Sequence, residues 1–307
     1  MDPLLVICGP TAAGKTALAV QLARRLGGEI VGADARQVYR GLDIGTGKAT
    51  ATELQGVAHH LIDVVAPDAT FTVAQYAALA SEAIAGVLGR RCLPILVGGT
   101  GLYVRAIVDG LLPPKVPPQS GLRAELERRW LREGPEALLR ELATLDPVAA
   151  ARIDRRNPRR VIRALEVCLV TGRPFSDQQR RQAAPYRLLQ LALTTERAAL
   201  HALADRRIDA MLAGGFIDEV RGLRAAGYDF HLPAFSAVGY REVATYLDGA
   251  VSLDEARLRM QRATHAYQRR QLTWSRADPR LRWLEARSPE VLETALGLVG
   301  RWLGDPS

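Results

Sequence analysis

Residues 9–16 have the types and the spacing of a loop that binds phosphate. They match the pattern G-x-x-x-x-G-K-[ST] and directly follow the apolar run 4–8, which is typical of a buried strand. In such a loop the glycines let backbone N–H groups point at phosphate, Lys15 adds a charge and Thr16 offers a hydroxyl to Mg²⁺. The N-terminus of a following helix adds partial positive charge. Diphosphate or nucleotide binding, with a metal contact at Thr16, is therefore predicted for Gly9, Pro10, Thr11, Ala12, Ala13, Gly14, Lys15 and Thr16.

Lysine is rare in this chain, and its positions are informative. Of the 41 lysines and arginines only three are lysines, at positions 15, 48 and 115. A lysine that persists among so many arginines indicates a site that needs a compact ammonium rather than a planar guanidinium. Lys15 fits by its place in the loop, and Lys48 ends the sequence Gly-Thr-Gly-Lys. Lys115 lies among prolines and is interpreted as incidental.

Asp34 and Thr100 each follow a predicted strand, 29–33 and 93–98 respectively. The carboxyl ends of parallel strands meet at one edge of a sheet, so both side chains should face the crevice of the phosphate loop. An acid there can hold Mg²⁺ through water or act as a general base. The alternative for Asp34 is a helix cap.

Two further candidates are interpreted as ordinary residues from their spacing. His59 and His60 resemble a metal-binding pair, but neighbours on a strand point to opposite faces and no third ligand is near. Arg207 lies on the helical stretch 200–212, where spacing alone predicts exposure to solvent.

Alternating strands and helices predict an α/β fold with a doubly wound parallel sheet of the P-loop type. The hydrophobic patterns place strands at 4–8, 29–33, 61–65 and 93–98 and helices at 17–26 and 73–89. Beyond these, the proline-rich stretch 113–118 marks a boundary, and the apolar run 188–193 returns to the sheet. Helices should start at Asn157-Pro158 and at Ser252, the second ending near Arg276. The predicted domains are a P-loop core (1–115), a mainly helical insertion (116–185), and a return to the core with C-terminal basic helices (186–307).

Charge is unevenly distributed along the 307 residues. The net charge is +8, yet residues 1–115 carry ten basic and nine acidic side chains, against 31 and 24 in the remainder. This asymmetry favours a polyanionic partner, and the alternative is a set of solvated arginine-rich helices. The three cysteines lack C-x-x-C spacing, and no apolar run reaches the length of a membrane span, so we expect a cytoplasmic protein.

The order of the motifs makes the chain resemble the bacterial tRNA dimethylallyltransferases, also called isopentenyl-diphosphate:tRNA transferases. The phosphate loop alone is common to many families, whereas the later motifs in this order are specific. The matching segments run nearly end to end, at 9–16, 34–39, 41–48, 59–63, 97–103, 157–166, 238–242 and 269–274.

This resemblance implies transfer of a dimethylallyl group from its diphosphate to N6 of the adenosine at tRNA position 37. The phosphate loop, including Lys15, would hold the diphosphate with Mg²⁺ as cofactor. Asp34 matches the family's base, and Thr100 matches a residue that positions the reacting groups. Arg207 matches an arginine that contacts the diphosphate, which reverses the expectation from spacing.

The resemblance also implies a tRNA-binding helical insertion and a tRNA partner, without a membrane, for a protein expected to be a monomer. The tRNA-contact positions that it suggests are Asp34, Ala35, Arg36, Gln37, Arg123, Arg159, Arg160, Val161, Ile162, Arg163, Val238, Gly239, Tyr240, Arg241, Arg269 and Arg270. The chain departs from the family at Ala33 and Ala35, where serines are usual, and we expect an intact reaction with altered affinity.

Three other functions fit parts of the sequence. A small-molecule kinase would use the same loop for ATP, and an adenylate isopentenyltransferase would act on free nucleotide. Neither uses the long basic helical region. An RNA-binding module with a vestigial phosphate loop is disfavoured by the intact loop and by Asp34.

Overall fold

The computed structural model describes residues 1–112, 114, 116–181 and 184–304. The chain forms two compact units, one made of residues 1–108 together with residues from 185 onward, and the other made of residues 109–184. The predicted boundary at 113–118 includes Pro113 and Lys115, which lie outside the described residues, so the interpretation of Lys115 also falls outside them.

The first unit contains a parallel sheet. In chain order the strands are β1 (Asp2–Cys8), β2 (Gly28–Gly32), β3 (His59–His60), β4 (Leu93–Val97), β5 (Leu111–Leu112), β6 (Arg180–Arg181), β7 (Tyr186–Thr194) and β8 (Arg282–Glu285). The sheet has the order β3-β2-β4-β1-β7-β8, and its neighbours are all parallel. β1 lies in the middle, where Leu5 is opposite Ile95 on one side and Leu189 on the other. The predicted strand at 188–193 is thereby confirmed.

The helices surround this sheet or build the second unit. They are α1 (Lys15–Leu26), α2 (Ala51–Leu54), α3 (Val73–Gly89), α4 (Gly101–Val108), α5 (Ser120–Glu133), α6 (Pro135–Leu145), α7 (Pro147–Arg152), α8 (Pro158–Thr171), α9 (Phe175–Gln178), α10 (Arg197–Ala213), α11 (Phe216–Ala225), α12 (Tyr240–Leu247), α13 (Leu253–Arg276) and α14 (Val291–Gly304), with a 3₁₀ turn at Pro233–Ser236. Local caps set several starts: Asn157 accepts from the Arg160 N–H before α8, and Ser252 accepts from the Glu255 N–H before α13.

Both faces of the sheet are buried, as a doubly wound fold requires. Leu4 and Val6 of β1 pack with α3, α4 and α10–α13, whereas Leu5 and Ile7 pack with α1 and α14. Side chains alternate between the two faces of a strand, so an uninterrupted apolar run is what a strand covered on both sides needs.

One predicted strand was wrong. The strand expected at 61–65 is replaced by β3, whose two residues pair with Ile30 and Val31 of β2. Leu61 and Asp63 have positive φ angles of 65° and 56°, which an extended strand excludes. The chain turns there, and Val65 returns only as an isolated bridge to Tyr39.

The second unit has its own core and a short antiparallel pair. Leu126, Leu138, Leu142, Val161 and Leu165 are buried together where α5, α6 and α8 meet. β5 pairs with β6. Because this core is separate, the second unit can hold its exposed side chains in fixed positions by its own packing.

Candidate functional site

A polar pocket lies at the carboxyl ends of β1, β2 and β4. This is the edge at which the parallel strands were predicted to bring the phosphate loop and Asp34 together. The residues that line it are Thr11, Lys15, Thr16, Asp34, Gln37, Thr46, Gly47, His59, Val97, Gly98 and Arg207.

Lys15 is the cation at the start of α1. Its Nζ donates to the Pro10 carbonyl at 2.8 Å, so the ammonium folds back over the phosphate loop. Burial lowers the pKa of Lys15 to about 8, with the charge of Arg207 acting in the same direction and Asp34 opposing it. The ammonium is therefore still largely protonated at pH 7 and is poorly solvated, which favours binding of an anion.

Asp34 is held at the end of β2 by the turn that follows β4. The Arg36 N–H donates to Asp34 Oδ1 at 2.8 Å. Thr100 Oγ1 accepts from the Ala35 N–H at 3.0 Å, and the Thr100 N–H donates to the Ala33 carbonyl at 3.2 Å. Thr100 thus fixes the backbone on both sides of the carboxylate.

Arg207 enters the same pocket from α10. Its Nη2 donates to the carbonyls of Thr46 and Gly47 at 3.4 and 3.3 Å, and Gln37 Nε2 donates to the same carbonyls at 3.2 and 3.1 Å. Burial lowers the pKa of Arg207, and Asp34 opposes this shift. The expectation of a solvent-exposed Arg207, drawn from spacing alone, was therefore wrong.

The loop 41–48 that presents those carbonyls is anchored at two points. Glu219 of α11 accepts from the N–H groups of Asp43, Ile44 and Gly45 at 3.0, 2.6 and 3.3 Å. Lys48 Nζ donates to the Tyr39 carbonyl and to the carboxylates of Asp43 and Asp63, at 2.7, 2.6 and 2.5 Å. Sequence reasoning indicated Lys48 but missed Glu219, which lies on an unremarkable amphipathic helix.

His59 and His60 have different surroundings, as their neighbouring places on a strand predict. His60 Nε2 lies 2.7 Å from Glu29, whereas His59 lines the pocket. Burial, assisted by the charge of His60, lowers the pKa of His59 to about 4, so its imidazole is neutral at pH 7. Its Nδ1 is buried without a hydrogen-bond partner among the described residues.

The predicted tRNA-contact residues of the first unit fall into two groups. Arg241, Arg269 and Arg270 are exposed, and Arg36 is half-exposed. Tyr240, by contrast, is fully buried and donates to Glu219 at 2.6 Å. Gly239 is also buried. The Tyr240 ring is enclosed by core residues and presents no surface to RNA, and the predicted tRNA contact at this position stays a prediction.

The second unit divides in the same way. Arg159 and Arg160 are exposed on the first turn of α8, whereas Val161 and Ile162 are buried in the core. Those two apolar side chains present no surface to RNA either, and the predicted tRNA contacts at their positions stay predictions. Arg163, the next residue on α8, donates to the buried carboxylate of Glu166, and so does Arg123 of α5.

The described part of the chain shows neither a metal-binding cluster nor a membrane span. Among these residues, no group of three or more His, Cys, Asp or Glu side chains is arranged to hold a metal ion. None of the described helices is both long and apolar enough to cross a membrane.

The comparisons with known proteins agree in one family. The family model described as IPP transferase matches residues 37–278. The tRNA dimethylallyltransferase of Roseiflexus castenholzii is 49% identical over 97% of this chain and 98% of its own length. That of Chloroflexus aggregans is 50% identical over 92% and 95%. The crystal structure of the full-length tRNA isopentenylpyrophosphate transferase from Bacillus halodurans is 40% identical, covers 99% of this chain and 98% of its own, and has a TM-score of 0.74. The chain therefore belongs to the IPP transferase family.

Proposed function

We propose that this protein transfers a dimethylallyl group from dimethylallyl diphosphate to N6 of the adenosine at tRNA position 37 and releases diphosphate. The observation that carries the proposal is that one pocket holds a phosphate loop, two cations and a carboxylate. The similar proteins named tRNA dimethylallyltransferase supply the substrate class. A tRNA substrate implies action in the cytoplasm, and we expect the protein to act as a monomer.

The residues of the pocket suit displacement at carbon. The N6 nitrogen forms a bond to C1 of the dimethylallyl group while the bond from C1 to the diphosphate oxygen breaks. Asp34 accepts the proton that the amine loses, and the bonding electrons leave with the diphosphate. Lys15, Arg207 and the amides of the phosphate loop face the negative charge that develops on the leaving group.

The donor set fits Mg²⁺ as the cofactor. The Thr16 hydroxyl lines the pocket, and such a hard oxygen ligand suits Mg²⁺, which commonly binds through one or two protein groups plus substrate phosphates. Bound there, the ion would neutralise charge on the diphosphate.

Exposed arginines are the proposed tRNA contacts. Arg159, Arg160, Arg241, Arg269 and Arg270 can bond phosphates or stack on bases of a single-stranded loop. The target adenosine must leave its stack for its N6 to enter a pocket at the sheet edge.

The test is transfer of labelled dimethylallyl groups to unmodified tRNA, with AMP, and with ATP plus a panel of small acceptors, in parallel reactions. Label on tRNA that disappears when the adenosine beside the anticodon is changed would support the proposal. Label on AMP alone would indicate a free-nucleotide prenyltransferase, and ATP consumption without prenyl transfer would indicate a kinase. Asp34→Asn should lose turnover while retaining tRNA binding, and full turnover in that variant would remove Asp34 as the base.

A further inference from the structure

Two glutamines on α13 are buried against the candidate site. Gln268 is 1% exposed and Gln271 is 6% exposed, although glutamine is usually a surface residue. A buried amide is costly unless it is hydrogen-bonded, so the partners of these side chains show what they hold in place.

Gln271 joins two different loops. Its Oε1 accepts from the Thr11 N–H of the phosphate loop at 2.8 Å, and its Nε2 donates to the Gly99 carbonyl at 3.0 Å. Gln268, one turn earlier, donates from Nε2 to the Thr11 carbonyl at 3.0 Å. Both backbone polar groups of Thr11 are therefore bonded to α13.

The turn that contains Gly99 allows this contact because glycine has no side chain. A Cβ placed on Gly99 would lie 2.1 Å from Gln271 Nε2, so the glycine permits the amide to reach the backbone. The same turn continues to Thr100, whose bonds to Ala33 and Ala35 fix the backbone around Asp34.

From this geometry we propose that Gln271 is a positioning residue, which sets the distance between the phosphate loop and the turn that holds Asp34. The inference rests on the proposed function: the phosphate loop carries the diphosphate of the donor, and Asp34 acts on the amine. The amide of Gln271 would then keep the distance between the leaving group and the base constant. Gln268 supports it by fixing the other side of Thr11.

The chemistry of glutamine allows the two bonds to be removed separately. Gln271→Met removes both at nearly constant volume. Gln271→Glu keeps an oxygen that can accept from the Thr11 N–H but replaces the donor to Gly99 with a second acceptor. Gln261→Glu is the matched control, because it adds the same charge on α13 at a half-buried glutamine more than two helical turns from Gln271.

The measurements are kcat, KM for dimethylallyl diphosphate, KM for tRNA, and the Kd of magnesium pyrophosphate by calorimetry. We expect Gln271→Met to raise donor KM and pyrophosphate Kd and to lower kcat, each by about 10-fold or more. Gln271→Glu should lower kcat by about 10- to 100-fold and should also raise pyrophosphate Kd, because its carboxylate lies beside the phosphate loop and repels the diphosphate. Gln261→Glu should change neither kcat nor pyrophosphate Kd.

Values of kcat and pyrophosphate Kd in the Gln271 variants that match those of Gln261→Glu would overturn the proposal. Loss of folding in both Gln271 variants, detected by circular dichroism, would also overturn it by showing that the amide supports the core. An inactive wild-type protein would instead refute the proposed function, and the pyrophosphate measurement would still test the positioning of the phosphate loop.

Discussion

At the scale of single residues, Lys15 and Lys48, two of the three lysines, occupy places where a compact ammonium meets oxygen acceptors. Lys48 has a side chain only 7% exposed, and three oxygens converge on its Nζ. A planar guanidinium spreads its donors over a fork and cannot bring them to one point. Lys15 likewise folds back over its own loop, where its Nζ donates to the Pro10 carbonyl. The presence of lysine at these positions, in a chain that otherwise uses arginine, therefore reflects the need for a compact donor and not for positive charge alone.

The lowered pKa of Lys15 predicts a pH dependence of donor binding. Lys15 attracts the diphosphate only in its charged, ammonium form. Its pKa of about 8 means that this charge is lost as pH rises through 8. Affinity for magnesium pyrophosphate should therefore be constant near pH 7 and decrease about tenfold per pH unit well above 8, with proton uptake on binding. Calorimetry in buffers of different ionisation enthalpy measures both.

The control for this prediction is Lys15→Arg, whose charge does not titrate in this range. Its affinity should be weaker at pH 7 and nearly flat up to about pH 9.5, because the guanidinium stays protonated there. A wild-type affinity that is also flat over this interval would contradict the assignment of the pH dependence to Lys15.

At the scale of elements, the loop 41–48 leaves room for the Arg207 guanidinium because residue 47 is a glycine. Gly47 has a φ of +60°, and a Cβ there would lie 1.5 Å from Arg207 Nη2. Gly47→Ala should displace the guanidinium and lower kcat/KM for the donor by about 10- to 100-fold, the amount that loss of a charged contact typically costs. Steady-state kinetics with varied donor measure the effect.

Gly56→Ala is the control that distinguishes the effect of backbone strain from the effect of the clash with Arg207. Gly56 has a φ of +80°, and a Cβ added to it would meet nothing within 4 Å, so its replacement costs strain alone. We expect near-normal kinetics and a modest loss of thermal stability for it. Matching kinetic losses in the two variants would show that strain, and not Arg207, explains Gly47.

In the second unit, Glu166 ties α5 to α8. Its side chain is 0% exposed and bonds to Arg123 Nε and Nη2 at 2.8 and 2.9 Å and to Arg163 Nη1 at 2.6 Å. Burial raises the pKa of Glu166, but bonds from Arg123, from the Gln119 N–H and from Arg163 outweigh it, so the net pKa is lowered. The carboxylate thus stabilises the folded state above its unfolded pKa, and this contribution is lost as pH falls through the lower folded value.

Glu166→Gln should lower the free energy of unfolding by roughly 2 kcal/mol at pH 7, less than for a fully buried pair because both arginines are partly solvated. The deficit should shrink below about pH 4.5, where the unfolded carboxyl binds a proton. Urea denaturation at several pH values measures it, with Glu127→Gln, an exposed position on α5, as the control. A deficit independent of pH would contradict the ionic origin.

At the scale of the whole molecule, the excess of positive charge lies after residue 115, while the phosphate-loop segment is nearly neutral. A long polyanion responds to that excess through release of counterions, whereas a small diphosphate bound with Mg²⁺ responds much less. The two proposed substrates should therefore differ in salt dependence.

We predict that tRNA affinity decreases by at least about tenfold between roughly 50 and 200 mM salt, with a much smaller change for the donor. Arg270→Ala should make the slope of log K against log salt shallower by about 1, and Arg25→Ala, on an exposed site of α1, should leave it unchanged. Filter binding over a series of salt concentrations gives the slopes. Equal slopes for both variants would remove Arg270 from the tRNA contacts.

The sequence by itself determined what depends on local pattern. A buried strand followed by a glycine loop and a helix predicted the phosphate loop, because that conformation is set by neighbouring residues. The parallel order of strands then placed Asp34 and Thr100 beside it, since parallel strands end at a common edge. Capping residues fixed the starts of α8 and α13 in the same local way.

Only the tertiary structure decided the contacts between distant segments. Arg207 reaches a carbonyl 161 residues away, and Gln271 reaches an amide 260 residues away. The tertiary packing also buried Val161, Ile162 and Tyr240, which their motifs had suggested for RNA. Such contacts follow from how helices pack on a sheet, and the packing sums many weak interactions that no local spacing encodes.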